Sequence, residues 1–482
     1  MKDEIYAPVS APPPLPLRRS VAIICLICIL TFGTYYAYDL PATLTKDFKA
    51  IAGSESNYEF LYTAFAVPST VTPLLVGALA DTKLGPHVCT LAALVIVTVG
   101  CFMVSAGCST SLYWIVLMGR LVMGCGGEAA FALQQTLCTW WMEPSLQPVA
   151  MSVSISAGSL GEIANFLLTK QLYSSVGFVG TNWCVTCLCA MSVAAGVLLW
   201  FLSRQRQVCK ETQEDGIVTE NVLSQGPAMS TQILPGDLSG KMLLQPETIE
   251  EAEINSCREL LRFEVLLLNL INASGNGAYY LFPSISADFM DEIGANGAQN
   301  LNALLFAIPM FVSPALGLAL GDTSKLHLNM WLSFGCGISW IGFGFMSLQL
   351  FSPLLGFSLV AVGSSIINAS LTPSLSLAVP MSLHGTAFGL WSCTQNAGIA
   401  LVSVAVGVIS DRSSKAVAVG FLGWVCAGAL VLSVVLVFQT YVEPVEEEKD
   451  ASISSLSGSS HQVEPGEQND CTVEDQRNSF SR

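Results

Sequence analysis

Three charged side chains stand within long apolar stretches of this sequence. Arg120 and Glu128 lie in one such stretch, and Glu162 lies in the next. Because an ionised group is costly in hydrocarbon, such residues usually pair with one another or line a path for an ion or solute. Counted along the helices, Arg120 and Glu162 reach similar depths, so we expect them to form an ion pair. The alternative is that Arg120 only ties helices together.

One arginine cannot balance two glutamates. We therefore expect Glu128 and Glu162 to contact a solute or a proton. The sixteen cysteines lie mostly in apolar stretches, where cysteine behaves as a small hydrophobic residue, and they lack the spacing of metal ligands. We expect no catalytic residue and no metal site.

The second half of the chain carries amides and hydroxyls instead of charges. Asn276 and Tyr279 lie in one apolar stretch, and Gln395 and Asn396 lie in another. Adjacent residues of a helix point about 100° apart, so Gln395 and Asn396 cannot both face one neighbouring helix. We expect these four side chains to close a solute site opposite the glutamates.

Other polar residues in the apolar stretches have structural explanations. Asn272 and Asn368 are expected to form hydrogen bonds between helices. Tyr38 and Asp39 lie at the outer end of the first stretch, where an interfacial aromatic belt accounts for them. Because Tyr38 and Tyr279 occupy corresponding positions of an internal repeat, a symmetric pair of gate residues stays open.

Composition predicts a membrane protein. The 482 residues are 52% hydrophobic and only 12% charged, with a mean hydropathy of +0.57, and no soluble domain of this length has so few charges. A spanning helix needs roughly 20 apolar residues. Runs of this kind occur at 18–42, 59–80, 87–108, 112–136, 147–170, 180–202, 262–286, 300–321, 329–349, 353–376, 386–410 and 416–441.

The repeat is visible in the residues themselves. Residues 65–82 read FAVPSTVTPLLVGALADT, and residues 306–323 read FAIPMFVSPALGLALGDT. We therefore predict an all-α membrane protein whose twelve transmembrane helices form two pseudo-symmetric six-helix bundles, with a solute site at the seam, as in alternating-access carriers. The predicted segments are a flexible tail at 1–17, a first bundle at 18–202, an acidic linker at 203–261, a second bundle at 262–441 and a disordered tail at 442–482.

The placement of lysine and arginine predicts that both termini face the cytoplasm. With that orientation, basic residues such as Arg18, Arg19, Arg204 and Arg206 lie on the inner side, as the positive-inside rule requires. The formal net charge of −16 comes mostly from the linker and the C-terminal tail. It carries no information about the solute.

Five residues are expected to act in gating. Pro68 and Pro309 occupy corresponding positions of the repeat, and they should bend the second and eighth spans where the halves rock against each other. Asp81 and Asp322 end these two spans. Together with Gly85, they should latch neighbouring helix ends through charge and helix-dipole contacts.

Two segments resemble signatures of a known family. The segment from Gly77 through Asp81 to Gly85 resembles the first signature of the major facilitator superfamily, and RLVMGCGG, which begins at Arg120, resembles its helix-four signature. The resemblance covers nearly all of the predicted transmembrane part. It implies twelve spans with a solute site between two bundles.

A narrower resemblance is to the lysosomal dipeptide uniporter branch of that superfamily. It rests on YDLPATL at 38–44 and on the stretch from Arg120 to Glu128. This likeness implies export of dipeptides from lysosomes, contact of Glu128 with the amino group of the peptide, and a single-span glycosylated partner. That branch uses an arginine in its fifth helix for the peptide carboxylate, whereas this chain has Ser159 at the corresponding position.

The leading hypothesis is therefore facilitated movement of dipeptides or amino acids across the lysosomal membrane, with the plasma membrane as the alternative location. Two other functions stay open. One is proton-coupled symport of an organic anion or a sugar, with Glu128 or Glu162 carrying the proton. The other is a non-transporting scaffold or receptor. The sequence has no G-x-x-x-x-G-K-[ST] loop, so ATP is not expected to drive it, and we expect no cofactor, no enzyme activity and no nucleic-acid partner.

Overall fold

The computed structural model describes residues 16–82, 84–224, 258–295, 298–321 and 323–458. Asp322 and most of the predicted 1–17 tail, as well as much of the linker and the C-terminal tail, lie outside the described residues. The described chain is helical throughout and contains no strand. Its first helices are α1 Leu17–Tyr38, α2 Leu40–Thr43, α3 Thr45–Ala52, α4 Glu55–Ser69, α5 Thr72–Ala80, α6 Gly85–Thr110, α7 Tyr113–Trp141 and α8 Gln147–Ser224. The later ones are α9 Phe263–Ile271, α10 Gly277–Glu292, α11 Ala298–Ala319, α12 Lys325–Ser347, α13 Pro353–Ala378, α14 His384–Arg412 and α15 Lys415–Gly458.

The described helices account for all twelve predicted spans. Nine segments of the described chain are long and apolar enough to cross a membrane. One of these runs over 144–206 and bends at Gly177, where φ is +72°, so it supplies two crossings. The remaining crossings are α11, whose apolar part is Leu304–Ala319, and the pair α9 and α10.

Two helices extend beyond their predicted ends. Helix α8 continues to Ser224 instead of ending near 202, and α15 continues to Gly458 instead of ending near 441. The added residues include many Glu, Gln, Lys and Arg, which favour helix although they are polar. Hydropathy therefore located the end of each apolar run rather than the end of the helix. The described residues divide into two units, and the boundary lies between Val437 and Phe438.

The second and seventh spans are interrupted. The second divides into α4 and α5 between Ser69 and Thr72, next to Pro68 and Pro73. Because proline lacks the amide hydrogen that an uninterrupted helix needs, a break at this place is expected. The seventh span contains a π-helical turn over Asn272–Asn276, a feature often found near functional sites.

The two halves, described residues 16–206 and 258–437, pack most extensively through two pairs of helices. Helix α5 packs against α14, and α11 packs against α8. At the first contact Gly77 faces Gly385 so closely that a Cβ on either glycine would clash with the backbone of the other. This close approach brings polar groups of α4, α5 and α7 next to those of α14.

Candidate functional site

Arg120 lies within the first half and binds the end of α1. Its Nε donates to the carbonyl of Leu61 at 3.3 Å, and its Nη1 donates to the carbonyls of Ala37 and Tyr38 at 3.4 and 3.1 Å. Helix α1 ends at Tyr38, so its last carbonyls have no partner inside the helix and carry the negative end of the helix dipole. The guanidinium group satisfies two of them.

The predicted ion pair between Arg120 and Glu162 is wrong. The described residues show no such pair, because the guanidinium is turned toward α1 and α4. Its Cζ lies 5.2–5.5 Å from the ring centres of Tyr38, Tyr62 and Phe65, and the residue is 1% exposed. The structure therefore agrees with the alternative, in which Arg120 ties helices together.

Three carboxylates lie near one another in the first half of the chain. Glu162 of α8 is within electrostatic range of Glu128 of α7 and of Asp39, which follows α1. All three are partly exposed although they sit deep in the bundle. Within the described chain, Asp39 and Glu162 have no hydrogen bond or ion pair, and Glu128 Oε2 accepts one from Ser392 Oγ at 3.2 Å. Because a charged group is costly in lipid, we infer that the exposed parts of these carboxylates face an aqueous space between the helices.

Sequence reasoning missed Asp39 as a member of this group. It assigned Asp39 and the tyrosines before it to an interfacial belt. The available signal was an acidic residue directly after a run of apolar helix, two turns from any basic residue. The sequence did not show the turn between α1 and α2, which places the carboxylate of Asp39 near Glu162.

The opposite side of this space is formed by α14. Asn396 is partly exposed, and its Nδ2 donates to the carbonyl of Ser392 at 3.0 Å and to that of Ser69, in the first half, at 3.4 Å. Gln395 is 7% exposed, and its Oε1 has no hydrogen-bond partner. The residues predicted from α14 thus adjoin the seam between the halves.

Trp391, one turn before Gln395, was not predicted. Its ring centre lies 5.6 Å from that of Phe131 in the first half, and Phe131 in turn makes an edge contact with Tyr35. The indole Nε1 is a buried donor without a partner. A lone tryptophan in an apolar helix gives no sequence signal that separates packing from binding.

Two other predicted contact residues are occupied within the second half. Asn276 is fully buried, and its Nδ2 donates to Oδ1 of both Asn272 and Asn368 at 2.9 Å. The hydroxyl of Tyr279 donates to the carbonyl of Leu305 at 2.7 Å. In this conformation both side chains support the wall of the site and do not face the accessible space. The interhelical hydrogen bonds predicted for Asn272 and Asn368 are confirmed.

The asparagine network also holds α14 in place. Asn272 Nδ2 donates to the carbonyl of Trp391 at 2.8 Å. Tyr280, which follows Tyr279, is partly exposed. It is close enough to Glu128 and Glu162 for an electrostatic interaction. The π-helical turn changes the helical phase between Asn272 and these tyrosines, so sequence spacing could not show which tyrosine faces the site.

Asp81 makes the contact that was expected of it. Its Oδ1 accepts from the amide of Gly385 at 2.8 Å, and its Oδ2 accepts from the amide and hydroxyl of Thr386, both at 2.6 Å. Helix α14 begins at His384, so the carboxylate caps free amides at the positive end of that helix. Burial raises the pKa of Asp81, while these three hydrogen bonds act in the opposite direction.

The other predicted gating residues differ in their surroundings. Gly85 begins α6 with φ of +74°, a conformation that favours glycine. Pro68 adjoins the break between α4 and α5, whereas Pro309 lies inside an uninterrupted α11. The carbonyl of Pro309 accepts from Ser156 Oγ of the first half at 3.4 Å. Asp322 lies outside the described residues.

The hydrogen bonds that join described residues of the two halves occur at mid-depth or toward the Asp81 end. At that end His384 Nδ1 lies 2.9 Å from Thr139 Oγ1, close to the Asp81 contact. At mid-depth the halves meet through Ser392 and Glu128. The contacts of His384 and Asp81 hold the halves together at the Asp81 end, beside a cavity of about 320 Å³ that Gln147 of the first half and Ser376 of the second help to line.

Comparison with known proteins gives both relatives and structural neighbours. The lysosomal dipeptide transporter MFSD1 of Danio rerio is 24% identical over 440 residues, covering 89% of each chain. The human protein of that name is 24% identical over 433 residues, covering 88% of this chain and 87% of its own.

Solved structures share the fold at lower identity. The transporter FucP in the outward conformation has a TM-score of 0.62 at 14% identity, covering 86% of this chain and 99% of its own. A double-tryptophan variant of XylE has a TM-score of 0.65 at 12% identity, covering 87% of this chain and 96% of its own. The family model described as Major Facilitator Superfamily matches residues 22–401. This chain therefore belongs to the major facilitator superfamily and is a multi-pass membrane transporter.

Proposed function

We propose that this transporter moves dipeptides, or amino acids, by alternating access without coupling to a proton gradient. The observation that carries the proposal is the contact between Glu128 and Ser392, which joins the halves beside an accessible, acidic space. Such a space at the seam of two bundles is where carriers of this architecture bind solute. The names of the relatives support a dipeptide as the solute.

The membrane and the orientation are part of the same proposal. We infer a lysosomal membrane from the relatives, with the plasma membrane as the alternative, and cytoplasmic termini from the distribution of Lys and Arg. In that orientation the Asp81 end is cytoplasmic. Protease digestion of sealed lysosomes, followed by detection of epitopes at the two termini, tests the orientation and the compartment together.

An accessory subunit is also proposed, namely a single-span glycosylated protein. The two N-A-S sequons of this chain, at Asn272 and Asn368, both lie at buried asparagines inside the bundle. A lysosomal transporter whose described part offers no exposed glycan site gains protection from a glycosylated partner. Faster loss of the chain from lysosomes when the glycan sites of its partner are removed by mutation would support this arrangement.

The experiment that tests transport uses the purified full-length chain in proteoliposomes. We expect time-dependent uptake of labelled alanyl-alanine, and we expect Glu128→Gln to reduce it. Glu143→Gln is the matched control, because Glu143 lies in the loop after α7, outside the group of carboxylates. Uptake that is equal in the two variants would contradict the assignment of Glu128 to the site. Absence of uptake of dipeptides and amino acids alike would contradict the proposed solute.

Proton-coupled symport is the second candidate, and one observation favours it. Glu162 has no hydrogen bond or ion pair in the described chain and lies beside two further carboxylates. A carboxyl group without a fixed partner is free to bind and release a proton during a transport cycle. Uptake measured with and without an imposed pH gradient separates this candidate from the uncoupled carrier.

A further inference from the structure

The candidate site has more acidic than basic side chains. The charged groups within electrostatic range of Glu162 are Asp39 and Glu128, and both are acidic. Arg120 is within range of Asp39 but is directed to the carbonyls of Ala37 and Tyr38. Within the described chain, Glu128 and Glu162 therefore face the accessible space with no cation to balance them.

Arg120 is not available to bind an anionic group of a solute. Its one unbonded nitrogen, Nη2, is buried, and the residue lines a cavity of about 10 Å³ together with Asn182. Asn182 Oδ1 is likewise buried without a partner. A cavity of this size has room for about one water molecule, which could bridge the two groups. It has no room for a carboxylate.

The remaining polar groups of the site are neutral. Trp391 Nε1 is a donor and Gln395 Oε1 is an acceptor, and both are buried without partners on the face of α14 that carries Ser392. The rings of Tyr35 and Tyr280 lie within electrostatic range of both glutamates. An ammonium group fits the carboxylates and the aromatic rings, and a carbonyl and an N–H group fit the indole and the amide.

Building on the proposed function, and on the contact of Glu128 with the amino group that the family resemblance implies, we propose that this site does not require a carboxylate in its solute. Peptide amides and other primary amines without an acidic group are then ligands of the same site. A free dipeptide is accepted for its amino end, and its carboxylate stays in water. An unpaired carboxylate within the bundle is costly, and an ammonium ligand reduces that cost.

Four matched compounds test this inference by uptake into proteoliposomes and by thermal stabilisation of the purified chain. They are alanyl-alanine, alanyl-alanine amide, N-acetyl-alanyl-alanine and alaninamide. Because hydrogen bonds to charged groups are the stronger ones, we expect N-acetylation to weaken binding by roughly tenfold to a hundredfold. We expect amidation to leave binding within about threefold of the free dipeptide, since no described group pairs with the carboxylate.

The variants Glu128→Gln and Glu162→Gln should each weaken binding of the amide, whereas Glu143→Gln should not. Melting temperatures without ligand identify any variant that fails to fold. Binding of N-acetyl-alanyl-alanine with an affinity equal to that of the free dipeptide, or loss of binding on amidation, would overturn the inference. If alaninamide stabilises the chain but no dipeptide enters the vesicles, the proposed dipeptide function fails while ammonium recognition stands. If dipeptides enter the vesicles and neither amide binds, the inference that no carboxylate is required fails, while the proposed dipeptide function stands.

Discussion

The carboxylate of Asp81 at the end of α5 binds Thr386 at the start of α14 twice, through the backbone amide and through the hydroxyl, each at 2.6 Å. The two residues belong to different halves of the chain. Their contact joins a charge to a helix dipole and lies on the side where the halves are closed. For α5 to separate from α14, this contact has to break.

Removing the charge of Asp81 should therefore favour opening of the closed side. A charge at a helix terminus contributes about 0.3–2 kcal/mol, so Asp81→Asn shifts the balance between the two conformations by up to roughly thirtyfold. The measurement is the rate at which a cysteine introduced at Thr139, a buried residue of α7 that faces His384 across the seam, reacts with a membrane-impermeant maleimide.

Asp291→Asn is the matched control, because Asp291 is exposed near the end of α10. The chain without the introduced cysteine gives the background from its own thiols. An unchanged rate in Asp81→Asn would show that the contact with Thr386 does not hold the closed side. A higher reaction rate in both variants would show that loss of any negative charge has this effect, and that Asp81 is not a specific latch.

Arg120 should matter for stability and not for the choice of solute. Arg120→Gln removes charged hydrogen bonds to carbonyls of α1 and α4, each contributing about 1.5–3 kcal/mol. We expect a lower melting temperature, with the ratio of uptake of alanyl-alanine to that of its amide unchanged. Lys170→Gln, a change at an exposed residue of α8, is the comparison. A changed uptake ratio at an unchanged melting temperature would place Arg120 in the solute site.

Glu162 should contribute to binding and not to proton coupling. We expect Glu162→Gln to lower uptake of alanyl-alanine by roughly tenfold, because a charged partner of the ammonium group is lost. We expect the initial rate in the unsubstituted chain to be the same with and without an inward proton gradient. A rate that rises with the gradient, and loses that dependence in Glu162→Gln, would replace the uncoupled carrier with a proton symporter.

The architecture was predictable because it depends on composition and repetition. Hydropathy located all twelve spans, and the paired segments at 65–82 and 306–323 indicated two halves. The contact of Asp81 was predictable too, because an acidic residue at the end of one helix is expected to bind the free amides at the start of another. Each of these features depends on position along a helix, which sequence gives directly.

The details of the site depend on rotation about helix axes, which sequence gives poorly. Arg120 and Glu162 were placed at matching depths, yet Arg120 faces the carbonyl end of α1. Tyr279 and Asn276 were expected to face the solute, but the π-helical turn directs Tyr280 there instead. An error of one residue in helical phase corresponds to about 100° of rotation, which exchanges a lining residue for a packing residue.

Trp391 gives a test of the site that leaves every charge in place. Trp391→Phe keeps an aromatic ring against Phe131 but removes the indole Nε1, a buried donor without a partner in this structure. A neutral hydrogen bond contributes about 0.5–1.5 kcal/mol, so we expect KM for alanyl-alanine to rise roughly threefold to tenfold at a similar melting temperature. Trp424→Phe, at a residue 73% exposed on α15, should change neither quantity. Equal KM values for the two variants would mean that the solute does not reach the indole, and would move the site away from this face of α14.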